Sequence, residues 1–492
     1  MGRCKYNPGR WAAGLCLLLK IPLSYAQVWE PGPVFRCNTY TAGNQSDVRV
    51  ALSETGAMVA VWDSYGQDGH INGIFGQSFD AAGTPYGLEF QVNEFTAEEQ
   101  ETPAVAMDGE GNFTVVWGGF GNAGGGIYAR RYLPDGTPMG GEFKVSSFGF
   151  GIQNNPRIAM APTGESIVTW TSAYQDGDGR GIIGQRLNSN GQPEGGEFVV
   201  NSLTAGHQLY PDVTMDESGN FIIAWLSQQG GGTGIYARKF HPTGTPQGAD
   251  FQVSDNGSYH YRPSLSFIGD GEFVVTWATA PGPSAATDIM AKRYGANGVT
   301  PLESFQVNTY SDGQQSDPVI ASDREGGFTI AWTSRLEDGD DDGIIARYFD
   351  GTGQSAAEPF QVNVHTPNDQ RFAAIAANRA PALLLAWQSQ LEDGDGWGVF
   401  ARLYQDPATA MRETSTVLQP PVFPNPTPGE VTLSGYRGPV EVFDLLGSPL
   451  LYVRLTEENQ VLSLASLPVG TYWLKTAHGT GAYRVQQVVV LR

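Results

Sequence analysis

Residues 104–145 read AVAMDGEGNFTVVWGGFGNAGGGIYARRYLPDGTPMGGEFKV. Four short runs in this stretch, Ala104–Met107, Asn112–Trp117, Ile127–Tyr132 and Glu142–Val145, have the β-branched and aromatic content of strands. Asp108-Gly109-Glu110-Gly111, the span Gly118 to Gly126 and Pro134-Asp135-Gly136 separate them with turn residues. No segment carries a 3.6-residue apolar period of helical length.

The stretch is one copy of a repeat. A tryptophan recurs at Trp62, Trp117, Trp170, Trp225, Trp277, Trp332 and Trp387, and a phenylalanine at Phe35, Phe90, Phe143, Phe198, Phe251, Phe305 and Phe360. Both series step by about fifty-four residues. Four antiparallel strands per unit, repeated this often, predict an all-β fold, a seven-bladed β-propeller with four-stranded blades. The aromatic series is expected to fill the spaces between blades rather than to stack a ligand.

The two ends of the array complement each other. Phe35-Arg36-Cys37-Asn38 matches the fourth-strand motif Phe90-Gln91-Val92-Asn93, but stands before the first tryptophan. Ser415 stands where an eighth phenylalanine would fall. The N-terminal strand is therefore expected to complete the last blade and close the ring, which would remove two open sheet edges. A linear solenoid would instead carry polar caps.

Residues 1–26 read as a secretory signal peptide. Arg3, Lys5 and Arg10 precede an apolar core from Trp11 to Leu19, and Ser24-Tyr25-Ala26 supplies small residues for cleavage. No other apolar stretch approaches the ~20 residues that span a bilayer. After cleavage twenty-five basic residues face fifty-one acidic ones, a net charge of −26. Such a surface disfavours nucleic acid and acidic membranes. Cys37 remains as a single cysteine, which precludes an internal disulfide. It occupies a strand position held by valine in the other copies, so it reads as a core filler.

The repeat gives way after Leu418 to Gln419-Pro420-Pro421, a proline-rich linker. Strand runs follow at 431–433, 440–443, 450–455, 470–475 and 483–491, the pattern of a small β-sandwich. The chain thus divides into 1–26, 27–418 and 419–492. Phe423-Pro424-Asn425-Pro426, Val442-Phe443-Asp444-Leu445-Leu446-Gly447, Leu467-Pro468-Val469-Gly470-Thr471-Tyr472-Trp473-Leu474-Lys475 and the closing Val488–Leu491 run resemble the C-terminal sorting domain of the type IX (Por) secretion system. The resemblance covers about 70 residues. It implies a Bacteroidota-type source, a partnership between 419–492 and that machinery, and release from the cell or display on its outer surface. The repeats also resemble the "DG…G-I-x-A-R…F-Q-V-N" units of uncharacterised secreted bacterial proteins, which implies no function.

Two groups of residues are candidates for chemistry. Asp-Gly pairs follow the tryptophan at Asp68, Asp176, Asp338 and Asp393. With Asp178, Asp340, Asp342 and Asp395 they could offer the converging oxygens that calcium requires. The same dipeptide is also the best hairpin turn. The long blade-to-blade connections contribute Phe148, Phe150, His207, Tyr210, Tyr259, His260, Tyr261 and His365, an aromatic and polar rim suited to recognition of glycan or protein. No zinc-protease helix, nucleophile elbow or Walker loop is present.

The expectation is a secreted or surface-displayed, non-catalytic binding or adhesion propeller for extracellular glycan or protein, with calcium as a candidate ion. The alternative is a hydrolase or lyase acting on extracellular polysaccharide, and a third reading is a structural envelope component. Two carboxylates facing the axis about 5–10 Å apart would favour the hydrolase.

Overall fold

The computed structural model describes residues 29–405, except 122–123, 230–231, 257, 270, 297–300, 324–325, 356 and 379–381. In the C-terminal segment it describes 422–423, 430–433, 438–443, 449–455, 461–478 and 482–490. The expected signal peptide, the linker at 419–421, the boundary at 418 and Ser415 lie outside the described residues. The chain divides into two compact units, Met1–Pro407 and Ala408–Arg492. Among the described residues every element is a strand, and no helix is long and apolar enough to cross a membrane.

The second repeat shows how each unit is built. Its strands are Gln100–Met107, Phe113–Gly121, Gly124–Tyr132 and Phe143–Lys144, paired antiparallel in that order. The middle two run further into the glycine stretch than the sequence suggests, pairing out to Gly121 and Gly124. The fourth is shorter than expected, because Phe143-Lys144 is the only pairing run left at the sheet's outer edge. The other repeats follow the same order. Those at 153–199 and 207–252 are joined into one eight-stranded sheet by a single parallel bridge, Arg180 to His207. Among the described residues no sheet closes on itself.

The last repeat lacks a fourth strand of its own, and Glu30–Arg36 fills the place by pairing with Trp397–Gln405. The Cys37 amide donates to the Val399 carbonyl at 2.8 Å, and Arg402 Nε donates to the Gly32 carbonyl at 2.8 Å.

Packing between sheets follows the period. Each of the seven tryptophans is almost fully buried. Each sits in a different apolar cluster shared by two sheets adjacent in order. Trp62 packs with Val48 of the first sheet and with Ala386, Val399 and Leu403 of the last. The recurring phenylalanines, on the outer strands, are partly buried against the same clusters. This is the inter-sheet role expected of both series. Cys37 is buried in the cluster of Trp62, and burial pushes its thiol pKa up, so it is a filler and not a nucleophile.

Basic side chains tie neighbouring sheets together from outside. Arg130, Arg238, Arg347 and Arg402 each donate to the carbonyl of Val92, Val200, Val307 and Val362 respectively, at 2.8–3.2 Å. Lys292 does the same to Val253 at 3.1 Å.

The first strands of the seven repeats (Gln45–Leu52, Gln100–Met107, Gln153–Met160, His207–Met215, Tyr259–Phe267, Gln315–Ser322 and Gln370–Ala377) neighbour one another in sequence order, and the seventh also neighbours the first. All seven carry a β-bulge near their start. Such an extra residue bends the strand and re-aims the side chains on either side.

In the C-terminal unit, Pro449–Leu455, Gly438–Phe443, Gly470–His478 and Ala482–Val490 form one sheet, and Val422–Phe423, Glu430–Leu433 and Val461–Ser463 another. Val431, Val442, Leu455, Leu464 and Leu474 are among the buried residues of their common core. The expected strands are present. The pairs at 422–423 and 461–463 escaped the sequence because two or three residues carry no period.

Candidate functional site

The aspartates of the Asp-Gly loops have work inside the fold. Asp176 Oδ2 accepts from Asn201 Nδ2 at 2.8 Å, Asp338 Oδ2 from Asn363 at 2.8 Å and Asp393 Oδ2 from Asn38 at 2.9 Å. Asp68 is placed alike, at 3.4 Å from Asn93. The asparagine is the centre of a latch. Its Oδ1 accepts from the amide that starts the third strand (Ile74, Ile182, Ile344 or Val399), and its Nδ2 also reaches the buried glutamine of the next repeat (Gln100, Gln208, Gln370 or Gln45).

A glycine makes room for the carboxylate. A Cβ on Gly181, Gly343 or Gly398 would stand 2.4–2.5 Å from the aspartate of its own loop. The fifth repeat solves the problem differently. Asp288 occupies the glycine's place and offers its own Oδ1 to Asn308 at 2.8 Å. The second and fourth repeats have no loop aspartate, and there Ser146 and Ser254 replace the asparagine, each accepting the strand amide at 3.0 Å.

The second aspartates reach the following repeat. Asp178, Asp340 and Asp395 accept from the amides of Gly206, Asn368 and Gly43 at 3.0–3.1 Å. Asp342 forms an ion pair with Arg371 at 2.5 Å. The eight aspartates considered for calcium are therefore distributed over four separate loops. Among the described residues no group of three or more His, Cys, Asp or Glu side chains is placed to hold a metal.

The aromatic rim also divides. His260 is not on it: it is 3% exposed and takes the place of the buried glutamine, with Nε2 against the Asp255 carbonyl at 2.9 Å and Nδ1 against Thr279 Oγ1 at 3.1 Å. Burial lowers its pKa. Phe150 is exposed and leans on Tyr174. Phe148, Tyr259 and His365 are half-buried, and His207 is exposed. Tyr210 and Tyr261 alone of the set line a cavity of 310 Å³, together with Arg262, Ser316 and Asp317. Arg262 lies over the Tyr210 ring at 4.7 Å, a cation–π contact, and 4.0 Å from Asp317.

Beside it lies the feature that the sequence reading missed. A cavity of 220 Å³ is lined by residues from all seven first strands. Four residues on from the buried glutamine or His260, each strand has a residue in the wall: Arg49, Ala104, Arg157, Asp212, Ser264, Val319 and Ala374. The next residue in each strand, from Val50 round to Ile375, is apolar. Asp212 Oδ2 accepts from Ser264 Oγ at 2.9 Å and from the Leu265 amide at 3.1 Å, while its Oδ1 is 4.0 Å from Arg157 Nε. Burial pushes the Asp212 carboxyl up, against the pull of Arg157. Burial together with the charge of Arg49 pushes Arg157 down to about 9.

A further acid stands in the first repeat. The Asp63 carboxyl accepts from Ser46 Oγ at 3.1 Å, and burial, with Asp47 adding to it, pushes its pKa up to about 7. Glu101 is also shifted up, by burial, Glu99 and Asp47. The available signal was the recurrence of Gln45, Gln100, Gln153, Gln208, Gln315 and Gln370, from which the wall positions can be counted.

The fold is similar to several solved structures. A Dyadobacter fermentans DSM 18053 protein of unknown function shares 12% identity, over 64% of this chain and 97% of that one, with a TM-score of 0.46. A PL25 ulvan lyase shares 11%, over 74% and 95%, with a TM-score of 0.48. The endosialidase of phage phi92 shares 9%, over 94% and 80%, with a TM-score of 0.47. Likenesses this distant carry no argument about chemistry. No curated protein matches the chain. Residues 421–491 match the family of the secretion system C-terminal sorting domain, and the chain is accordingly a protein exported by the type IX route, secreted or held at the outer cell surface.

Proposed function

We propose that the exported body is a closed seven-bladed propeller that binds an extracellular glycan, without catalysis, at the cavity among its first strands. The closed ring is supported by the pairing of Glu30–Arg36 with the last repeat and by the shared cluster around Trp62. The observation that carries the binding reading is the mixed wall of the cavity. Guanidinium donors on Arg49, Arg157 and Arg262 alternate with acceptors on Asp212 and Asp317, and Tyr210 and Tyr261 flank the adjoining pocket. Sugar hydroxyls need donors and acceptors side by side, and aromatic faces suit the C–H faces of pyranose rings. The test is a glycan array probed with the full mature protein and with Tyr261→Ala. Binding that weakens at least tenfold in the variant supports the reading, and an array without a single hit overturns it.

A second reading, a hydrolase or lyase for extracellular polysaccharide, is favoured by Asp63. Burial raises the pKa of its carboxyl, the direction of shift that suits a carboxylic acid to give and take a proton closer to neutral pH. Release of reducing or unsaturated ends from polysaccharide, abolished in Asp63→Asn, would establish this reading in place of the first.

A further inference from the structure

The wall of the cavity is not balanced in charge. At the level four residues beyond the buried glutamine, two arginines face one aspartate, in a chain whose net charge is −22. Asp212 is already engaged by Ser264 and the Leu265 amide. The two guanidiniums are scarcely used. Arg49 Nη1 donates to the carbonyl of Val48 at 2.7 Å, and Arg157 Nη1 to that of Pro156 at 2.8 Å, each its own preceding residue. Among the described residues no carboxylate stands within 4.0 Å of Arg49, and only Asp212, at that limit, approaches Arg157. Each guanidinium has five N–H donors, so most of them have no hydrogen-bond acceptor among the described residues.

Other charges stand nearby. Arg262 is held between the Tyr210 ring and Asp317. The negative charges of Asp47, two residues before Arg49, and of Asp317, which lines the cavity, also act on Arg49. Arg49 and Arg157 are each half-buried in the cavity wall, and arginine pairs hold carboxylates through paired hydrogen bonds. A doubly charged phosphate would be repelled by Asp212, Asp317 and Asp47. A singly charged carboxylate matches the excess of one at this level. The neighbouring Asp212 and Ser264 supply an acceptor and a hydroxyl for groups beside it.

We propose that Arg49 and Arg157 seat one carboxylate of an acidic saccharide, with Asp212 and Ser264 reading hydroxyls next to it. The proposal rests on the reading of the cavity as a glycan site and names the class of sugar.

The experiment uses the full mature protein in calorimetric titrations with glucuronate, galacturonate, glucose, galactose, succinate and inorganic phosphate at constant ionic strength. At least one uronate should bind ten times or more tightly than its neutral parent, than succinate and than phosphate. Arg49→Gln and Arg157→Gln should each remove that preference. The two variants are made separately, so the misfolding of one, seen by circular dichroism, leaves the other to decide. Equal binding of uronate and neutral sugar, or preference surviving in both variants, overturns the carboxylate seat while leaving a glycan site. Succinate binding as tightly as the uronate removes the saccharide from the proposal, and tighter phosphate binding overturns its choice of anion. No response to either uronate overturns the seat outright. The array, which requires no acid, then judges the glycan reading alone.

Discussion

At the tryptophan position the seven repeats are identical, and at the cavity wall they are mixed: arginine, alanine, arginine, aspartate, serine, valine, alanine. The two positions lie on neighbouring strands of one sheet, so the backbone does not account for the difference. Each tryptophan meets the same surroundings, an apolar space between two sheets, and one residue type fits it seven times. The wall positions share one cavity, where the side chains act as a set and repetition would be harmful. Seven arginines there would repel one another, and seven alanines would bind nothing. Identity among repeats therefore marks packing, and divergence is found at the site proposed for binding.

The comparison can be broken most severely at the packing position. Trp170→Ala should cost about 3–5 kcal/mol of stability, read as a lowered midpoint in urea, and its double mutant with Trp332→Ala should be nearly additive because the two lie in different clusters. Equal loss from Val319→Ala at the cavity wall would remove the distinction.

The latches lie between these extremes. Asn201→Ala leaves the Ile182 amide and one Asp176 oxygen without their partners, and should cost about 1–3 kcal/mol. Asn201→Ser should cost less, since Ser146 and Ser254 already perform the amide-accepting half of the task. Asp176→Ala should then be nearly neutral in the serine background and destabilising in the native one, a coupling that a double-mutant cycle measures.

Asp63 gives a pH signature. Its folded pKa of about 7 lies above the ordinary aspartate value of 3.8, so the folded state holds the proton more tightly than the unfolded chain does. The contribution is fully present below about pH 4 and is lost as pH rises to 7 and beyond. Asp63→Asn should flatten that decline and raise stability at pH 8 by on the order of 1 kcal/mol. Thermal scans between pH 4 and 8 check it, and parallel curves for the two proteins would refute it.

The smallest effect is expected from a chelator. The loop aspartates accept from amides and asparagines, so EDTA followed by added calcium should leave the unfolding midpoint unchanged. A calcium-dependent shift of several degrees, lost in Asp338→Ala, would restore those loops as a metal site.

Much of the fold was legible because its signal repeats. The tryptophan and phenylalanine series, the spare strand at Phe35-Arg36-Cys37-Asn38 and the valine position of Cys37 each gain meaning from six other copies. The site was much less legible. The hydrogen bonds of Asp176 and Asp338 to asparagines twenty-five residues later are not visible in the Asp-Gly pairs themselves, and His260 resembles a rim residue until it is aligned with six glutamines. Arg49, Arg157 and Asp212 belong to no motif and differ from their counterparts, so a search for recurrence passes over them.

The sequence by itself determined the all-β class, the period, the strand that completes the last repeat and the sorting segment. These follow from local propensity and from apolar residues that recur at fixed spacing, which any stretch of one repeat carries. Only the tertiary structure decided which aspartates were already engaged and which side chains share the cavity. Arg49, Arg157 and Asp212 lie more than fifty residues from one another along the chain. They meet because residues of the seven first strands line one cavity, and whether a charge there is paired depends on distances that no single repeat contains.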